Sequence, residues 1–118
     1  MSRIALAVAV LAAAAVLVAQ ALGATTTLKV TADKAALKYD KTFLKASAGT
    51  VTIAMANAGF LPHNVAIKGP GLKPALGKVV AKGGTSTVRA TLKKGTYTFY
   101  CSVPGHEAAG MKGTLKVS

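Results

Sequence analysis

Apolar and polar residues alternate with a period of two through most of the chain after residue 24. In the segment 50–56, for example, Val51, Ile53 and Met55 share one face and threonine and alanine occupy the other. This period is typical of a strand with one buried and one solvated face, and several short strands of this kind predict a β-sandwich or barrel. The alternating segments are TTTLKVTA (25–32), TVTIAMA (50–56), HNVAIKG (63–69), STVRATLKKG (86–95), TYTFYC (96–101) and GTLKVS (113–118).

Helix signals are weak in the same region. The segment ADKAALKYDK (32–41) could form one helical turn, and HEAAGM (106–111) could begin one that Gly110 ends. GPGLKPALG (69–77) contains two prolines and three glycines, so a loop is predicted there. Without an internal repeat or a low-complexity linker, the pattern indicates one all-β domain over residues 22–118.

The first 21 residues have the pattern of an export signal. Arg3 precedes an apolar run from Ile4 to Ala19, and Ala19-Gln20-Ala21 matches the A-x-A site of signal peptidase. We predict a signal peptide over residues 1–21, with cleavage after Ala21 and positions up to 24 as alternatives. An uncleaved anchor is the other interpretation, but 16 apolar residues are fewer than the roughly 20 that span a bilayer. The expected product is exported to the periplasm or another extracytoplasmic space, with no stable membrane insertion after cleavage.

The chain is strongly basic. Its 15 lysine and arginine residues against three acidic residues give a net charge of +12. Loss of Arg3 with the signal leaves 14 − 3 = +11. Nucleic acid is not an expected partner, because an exported chain rarely meets it and no basic cluster is interleaved with aromatic residues. The charge instead indicates a solvated lysine surface, represented by Lys29, Lys45 and Lys116, or attraction to an acidic protein or an anionic surface.

The stretch CSVPGHEAAGM (101–111) holds the only cysteine, Cys101, followed by His106 and Met111 at intervals of five residues. Cys101 closes its strand on the inward face, and His63 opens another strand on the inward face. If these strand ends share one pole of the sandwich, His63, Cys101, His106 and Met111 form a set of two imidazoles, a thiolate and a thioether. This set is typical of blue copper sites. Zinc is the second candidate, but methionine is a poor zinc ligand.

The segments PHNVAIKG (62–69) and YTFYCSVPGHEAAGMKGTLKV (97–117), with AGTVTIAMANAG (48–59), resemble the cupredoxin family, in particular its plastocyanin and azurin branch. The resemblance implies an antiparallel Greek-key β-sandwich with one copper ion, cycling between Cu(II) and Cu(I), at one pole. It implies the ligands His63, Cys101, His106 and Met111, and a supporting role for Asn64, which would tie the two ligand loops together. The four residues between Cys101 and His106 resemble azurins and rusticyanins, whereas the four between His106 and Met111 resemble plastocyanins and rusticyanins.

The resemblance also implies single-electron transfer between redox proteins. His106 would be the electron portal, within a docking patch that includes Leu61, Pro104, Gly105 and Ala108. Further candidates for this patch are Phe60, Ala109, Gly110 and the segment 69–71.

Four ligands leave little room for a substrate on the ion, so we expect no enzyme activity. We expect a monomer whose partners are redox proteins with acidic docking surfaces. An envelope copper chaperone or storage protein would use the same ligands. A β-sandwich that binds polyanions without a metal is the third possibility.

Overall fold

The computed structural model of the chain describes residues 23–118. The predicted signal peptide lies outside the described residues. Within them, no helix has the length and apolarity needed to cross a membrane. The chain forms eight strands: β1 (Ala24–Ala32), β2 (Phe43–Ala46), β3 (Gly49–Asn57), β4 (Ala66–Gly69), β5 (Leu72–Leu76), β6 (Thr85–Leu92), β7 (Gly95–Tyr100) and β8 (Lys112–Val117).

The strands form two sheets, with the orders β1-β3-β6 and β2-β8-β7-β4-β5. The predicted all-β sandwich is therefore confirmed. The pairs β1–β3 and β2–β8 are parallel, so the sheets are mixed and not purely antiparallel. The chain crosses to the other sheet at β2 before it returns as β3, and a crossover of this kind lets β1 and β3 run in the same direction.

The predicted inward faces are buried in the described structure. Val51, Ile53 and Met55 of β3 are fully buried, as are Phe99 and Cys101 at the end of β7. Leu115 and Val117 of β8 complete the same core. The alternation prediction is correct because each strand has only two faces, and only one of them meets the opposite sheet.

Three local features differ from the sequence prediction. The predicted loop at 69–77 is wrong, because residues 72–76 form β5, which pairs with β4. Pro74 is compatible with this strand because β5 is at the sheet edge and only one of its sides needs hydrogen-bond donors. The segment 33–42 has no helical turn, and Tyr39 instead bridges to Ala32. The short strand β2 has no counterpart among the predicted segments.

The strand directions assign the loops to two ends of the sandwich. Loops 33–42, 58–65, 77–84 and 101–111 lie at one end, which we call the apical pole. Turns 47–48, 70–71 and 93–94 lie at the other end with Gly23, and we call this end the basal pole. The segment 69–71 was a candidate for the docking patch around His106, and this prediction is wrong because β4 runs away from the apical pole before it reaches Gly69.

Candidate metal centre

Three predicted ligands converge at the apical pole. His63 Nδ1 and His106 Nδ1 are 3.1 Å apart, and Cys101 Sγ lies 3.9 Å and 3.5 Å from these two atoms, respectively. A point equidistant from the three atoms is about 2.0 Å from each, which is close to the 2.0–2.3 Å of nitrogen and sulfur bonds to a transition metal. The three donors therefore fit a single ion without rearrangement.

His63 is held between two loops and is almost inaccessible. Its backbone N–H donates to the Val80 carbonyl at 3.1 Å, and the Val80 N–H donates back to the His63 carbonyl at 2.9 Å. The side chain is 2% exposed. This two-bond bridge fixes the backbone of His63, and burial of the imidazole restricts its rotation.

The loop from Cys101 to Met111 folds into a compact turn that returns to its starting point. The His106 N–H donates to the Val103 carbonyl, and the Met111 N–H donates to the His106 carbonyl, each at 3.1 Å. The Cys101 N–H then donates to the Met111 carbonyl at 3.1 Å. These bonds bring the backbones of Cys101 and Met111 together, and both side chains are fully buried. The backbone of Met111 thus lies beside that of Cys101, and its role as the fourth ligand stays a prediction.

Asn64 joins the two segments that carry His63 and Cys101. Its Nδ2 donates to the Ser102 hydroxyl at 2.8 Å and to the Gly77 carbonyl at 2.9 Å, and its Oδ1 accepts from the Ser102 N–H at 2.8 Å. Asn64 is 1% exposed, so its side of these bonds is shielded from water, although Ser102 is only half-buried. Asn64, which follows His63, is thereby hydrogen-bonded to Ser102, which follows Cys101.

Two buried residues that the sequence reasoning missed also support this pole. Asn57 donates to the carbonyls of Leu61 and Val80 at 3.0 Å each, and its Oδ1 accepts from the Gly59 N–H at 2.8 Å. Asn57 lies on the inward face of β3, in alternation with Val51, Ile53 and Met55. A polar residue at such a position is a sequence signal for a buried hydrogen-bonding role. Tyr39 donates from its hydroxyl to the Asn64 carbonyl at 2.7 Å. Nothing in the segment around Tyr39 indicated this contact.

The electrostatics of the site favour uncharged imidazole as a metal donor. Burial, and then the proximity of His106, lower the pKa of His63. A histidine with a lowered pKa is neutral at physiological pH and can offer a lone pair to a cation. Burial also raises the pKa of Tyr39 well above its ordinary value, with a smaller contribution from the charge of Cys101. Tyr39 therefore remains a hydrogen-bond donor.

The residues named in the predicted docking patch lie on the two loops that carry His63 and His106. His106 is partly exposed, whereas His63, Cys101 and Met111 are buried. Pro104, Gly105 and Ala108 are exposed on the same loop as His106. Leu61 and Phe60, on the loop before His63, are 51% and 78% exposed, and Lys82 Nζ lies 4.2 Å from the centre of the Phe60 ring.

The donor set fits copper better than zinc. Cys101 and Met111 supply soft sulfur donors, which favour Cu(I), and His63 and His106 supply imidazoles, which suit both oxidation states. Among residues 23–118, these two histidines and the cysteine form the one cluster of three potential metal ligands.

Comparisons with known proteins agree with this geometry. The family model for copper-binding proteins of the plastocyanin/azurin family matches residues 26–118. Reduced auracyanin from Roseiflexus castenholzii is 28% identical, with a TM-score of 0.68 over 81% of this chain and 99% of that chain. Auracyanin A, a "blue" copper protein from Chloroflexus aurantiacus, is 26% identical, with a TM-score of 0.68 over 80% of this chain and 100% of that one.

An azurin from Methylomonas sp. strain J is 23% identical, with a TM-score of 0.65 over 80% of this chain and 99% of that chain, and shares the fold. The search of curated proteins gave no significant match. Since the family model covers nearly all of the described residues, the chain belongs to the plastocyanin/azurin family of copper-binding proteins, the cupredoxins.

Proposed function

We propose that this protein carries single electrons between redox partners through one copper ion held by His63, Cys101, His106 and Met111. The observation that supports this proposal most strongly is the convergence of His63 Nδ1, Cys101 Sγ and His106 Nδ1 within 3.9 Å of one another. Copper supplies a one-electron couple when bound. Each surrounding residue has a role that suits such a couple.

The protein contributes a rigid and dry site. The side chains of the buried residues Asn64 and Asn57, together with the His63–Val80 bridge, fix the ligand loops through hydrogen bonds. A fixed donor set changes little when the charge of the bound ion changes, so little energy is spent on rearrangement. Burial of His63, Cys101 and Met111 excludes water from the donors.

The exposed edge of His106 gives the electron a route to the surface. His106 is the one proposed ligand that solvent reaches. The surrounding patch of Leu61, Pro104, Gly105 and Ala108 is small and apolar, which suits brief docking of a partner. We propose that this patch receives redox proteins with acidic surfaces, because Lys82 lies at its edge beside Phe60 and the net charge of the chain is positive.

The same geometry argues against the two other functions. A copper chaperone must release its ion readily, but three of the four proposed ligands are buried and held by hydrogen-bonded loops. A metal-free polyanion-binding protein would have no use for two histidines and a thiol that converge in its interior. We further propose that the four donors leave no position for a substrate, and that the protein works after export, as the signal pattern of residues 1–21 indicates.

Electron exchange with a soluble, acidic haem protein tests this function. The copper-loaded protein should be reduced and reoxidised reversibly, and the second-order rate should fall as salt rises. Replacing Ala108 with glutamate puts a negative charge in the docking patch and should slow exchange with an acidic partner about tenfold, because like charges across an interface repel. Thr91→Glu is the matched control, because it makes the same charge change on an exposed residue at the basal end of β6. Equal slowing by both variants would contradict docking at His106.

A further inference from the structure

Positive charge is distributed unevenly between the two poles. All three acidic residues of the chain, Asp33, Asp40 and Glu107, lie in apical loops, which also carry five lysines. Glu107 pairs with Lys68, and this is the one ion pair among residues 23–118. The apical loops therefore have a net charge of 5 − 3 = +2, and exposed Lys112 at the apical start of β8 raises the total to +3.

The basal end of the five-stranded sheet carries lysines without any acidic side chain. Lys45 of β2 and Lys116 of β8 are register partners, Lys93 and Lys94 form the turn before β7, and Lys73 is on β5. All five side chains are exposed. In the sheet order β2-β8-β7-β4-β5 they form a row that crosses the sheet, which at about 4.8 Å per strand is roughly 20 Å wide. We call these five residues the basal cluster.

The surface beside the basal cluster is partly apolar. A cleft of about 280 Å³ lies between the turn at 70–71 and the turn at 93–95. Leu72 and Leu92 line it together with Lys93 and Lys94. The Tyr97 hydroxyl donates to the Lys93 carbonyl at 2.8 Å and fixes the lysine-bearing turn. Lysines around a shallow apolar cleft are complementary to a surface that is anionic outside and apolar beneath.

The path of the chain points to the same pole. Gly23, the first described residue, lies at the basal pole, and it follows the segment with the apolar run from Ile4 to Ala19. A run of this kind enters the bilayer during export. While the predicted signal peptide is still attached, the basal pole is the part of the domain nearest to the membrane.

We propose that the basal cluster binds the anionic phospholipid surface of a membrane and orients the carrier so that its copper pole faces away from the bilayer. Lysines near an anionic leaflet each strengthen binding about fivefold, and the attraction falls within a Debye length. The apical pole has the smaller net charge and stays available to redox partners. The charge of the chain thus concentrates the carrier at the membrane, in addition to attracting acidic proteins.

Sedimentation with vesicles tests the proposal. The protein expressed from the full chain is mixed with phosphatidylserine–phosphatidylcholine vesicles and with pure phosphatidylcholine vesicles at low and moderate salt. We expect binding to the anionic vesicles only, with loss at moderate salt. Lys93→Gln with Lys94→Gln should weaken binding about 25-fold, at fivefold per lysine. The matched control, Lys34→Gln with Lys38→Gln in an apical loop, removes the same charge and should weaken it less than about threefold.

Several outcomes would overturn the proposal. Equal losses in the two double variants would mean that net charge alone attracts the protein. Binding to neutral vesicles that salt does not weaken would mean that an apolar segment inserts. Stronger binding of soluble polyphosphate at the same charge concentration would assign the basal cluster to a polyanion in solution. Thermal unfolding of each variant confirms that it is folded, and all four replaced lysines are exposed.

Discussion

Replacement of Asn64 by alanine should cost more stability than its size suggests. The side chain makes three hydrogen bonds, a buried one to the Gly77 carbonyl and two partly buried ones to Ser102. At a net value of about 1 kcal/mol each, their loss lowers the free energy of unfolding by about 3 kcal/mol, and more where a buried partner stays unpaired. A domain of this size has roughly 5–15 kcal/mol in total. The melting temperature should fall by roughly 12–24 °C.

Asn57→Ala provides a closely matched control. Asn57 is also buried and also makes three hydrogen bonds, but these join the loop before His63 to Val80 and do not reach the Cys101 segment. Both variants should therefore lose similar stability. Only Asn64→Ala removes the tie to the residue after Cys101, so it should shift the copper–thiolate absorption band and the reduction potential more than Asn57→Ala does.

The assay has two parts. Denaturant unfolding of the metal-free proteins gives the free energies without the contribution of bound copper. Absorption spectra of the copper-loaded proteins then give the band position. A loss of less than 1 kcal/mol in Asn64→Ala, or an equal band shift in the two variants, would refute the assignment of Asn64 as the link between the ligand loops.

Three other substitutions test the support of the site and of the fold. Tyr39→Phe removes the hydroxyl that donates to the Asn64 carbonyl and should cost about 1–2 kcal/mol in denaturant unfolding, with the native spectrum retained; an unchanged stability would contradict this contact. Hydrogen bonds from the backbone amides of Ala36 and Ala35 lower the pKa of Asp33 below 3.8. As pH falls, the Asp33 carboxylate therefore takes up its proton at a lower pH in the folded state than in the unfolded state. The stability that this carboxylate contributes is present above pH 3.8 and is lost as pH falls through the lowered pKa. Between pH 5 and 2, the free energy of unfolding of Asp33→Asn should therefore fall less steeply than that of the native protein. Equal slopes in the two proteins would refute this role of Asp33. Gly113→Ala places a methyl group against the Phe99 ring and should cost about 1–3 kcal/mol by thermal unfolding, and a neutral result would show that the core yields there.

The features that the sequence predicted correctly depend on local parity. Alternation is enough to turn Cys101 inward at the end of β7, whereas His63 precedes β4 and is held inside by its bridge to Val80. The parallel pairing of β1 with β3 depends on residues far apart in sequence, which no local pattern encodes. The strand β5 was missed because Pro74 and its flanking glycines indicate a loop, and only its place at the sheet edge makes the proline acceptable.

The supporting residues of the site show the same division. Asn57 has inward parity at the end of an alternating strand, so a buried polar role could have been predicted for it. Tyr39 lies in an irregular segment where parity has no meaning, and its contact with Asn64 spans 25 residues of sequence. The placement of Gly69–Gly71 failed for a related reason, since only the strand direction shows that this turn lies at the basal pole.

We propose that His63, Cys101, His106 and Met111 hold one copper ion in a blue, redox-active site. Titration of the metal-free protein with Cu(II), followed by visible absorption, tests it most directly, with Cys101→Ser as the matched variant. We expect an intense blue band that saturates at one equivalent, bleaches on reduction and is absent from the Cys101→Ser protein. A protein that binds a full equivalent of Cu(II) and stays colourless, or a variant as blue as the native protein, would contradict the account.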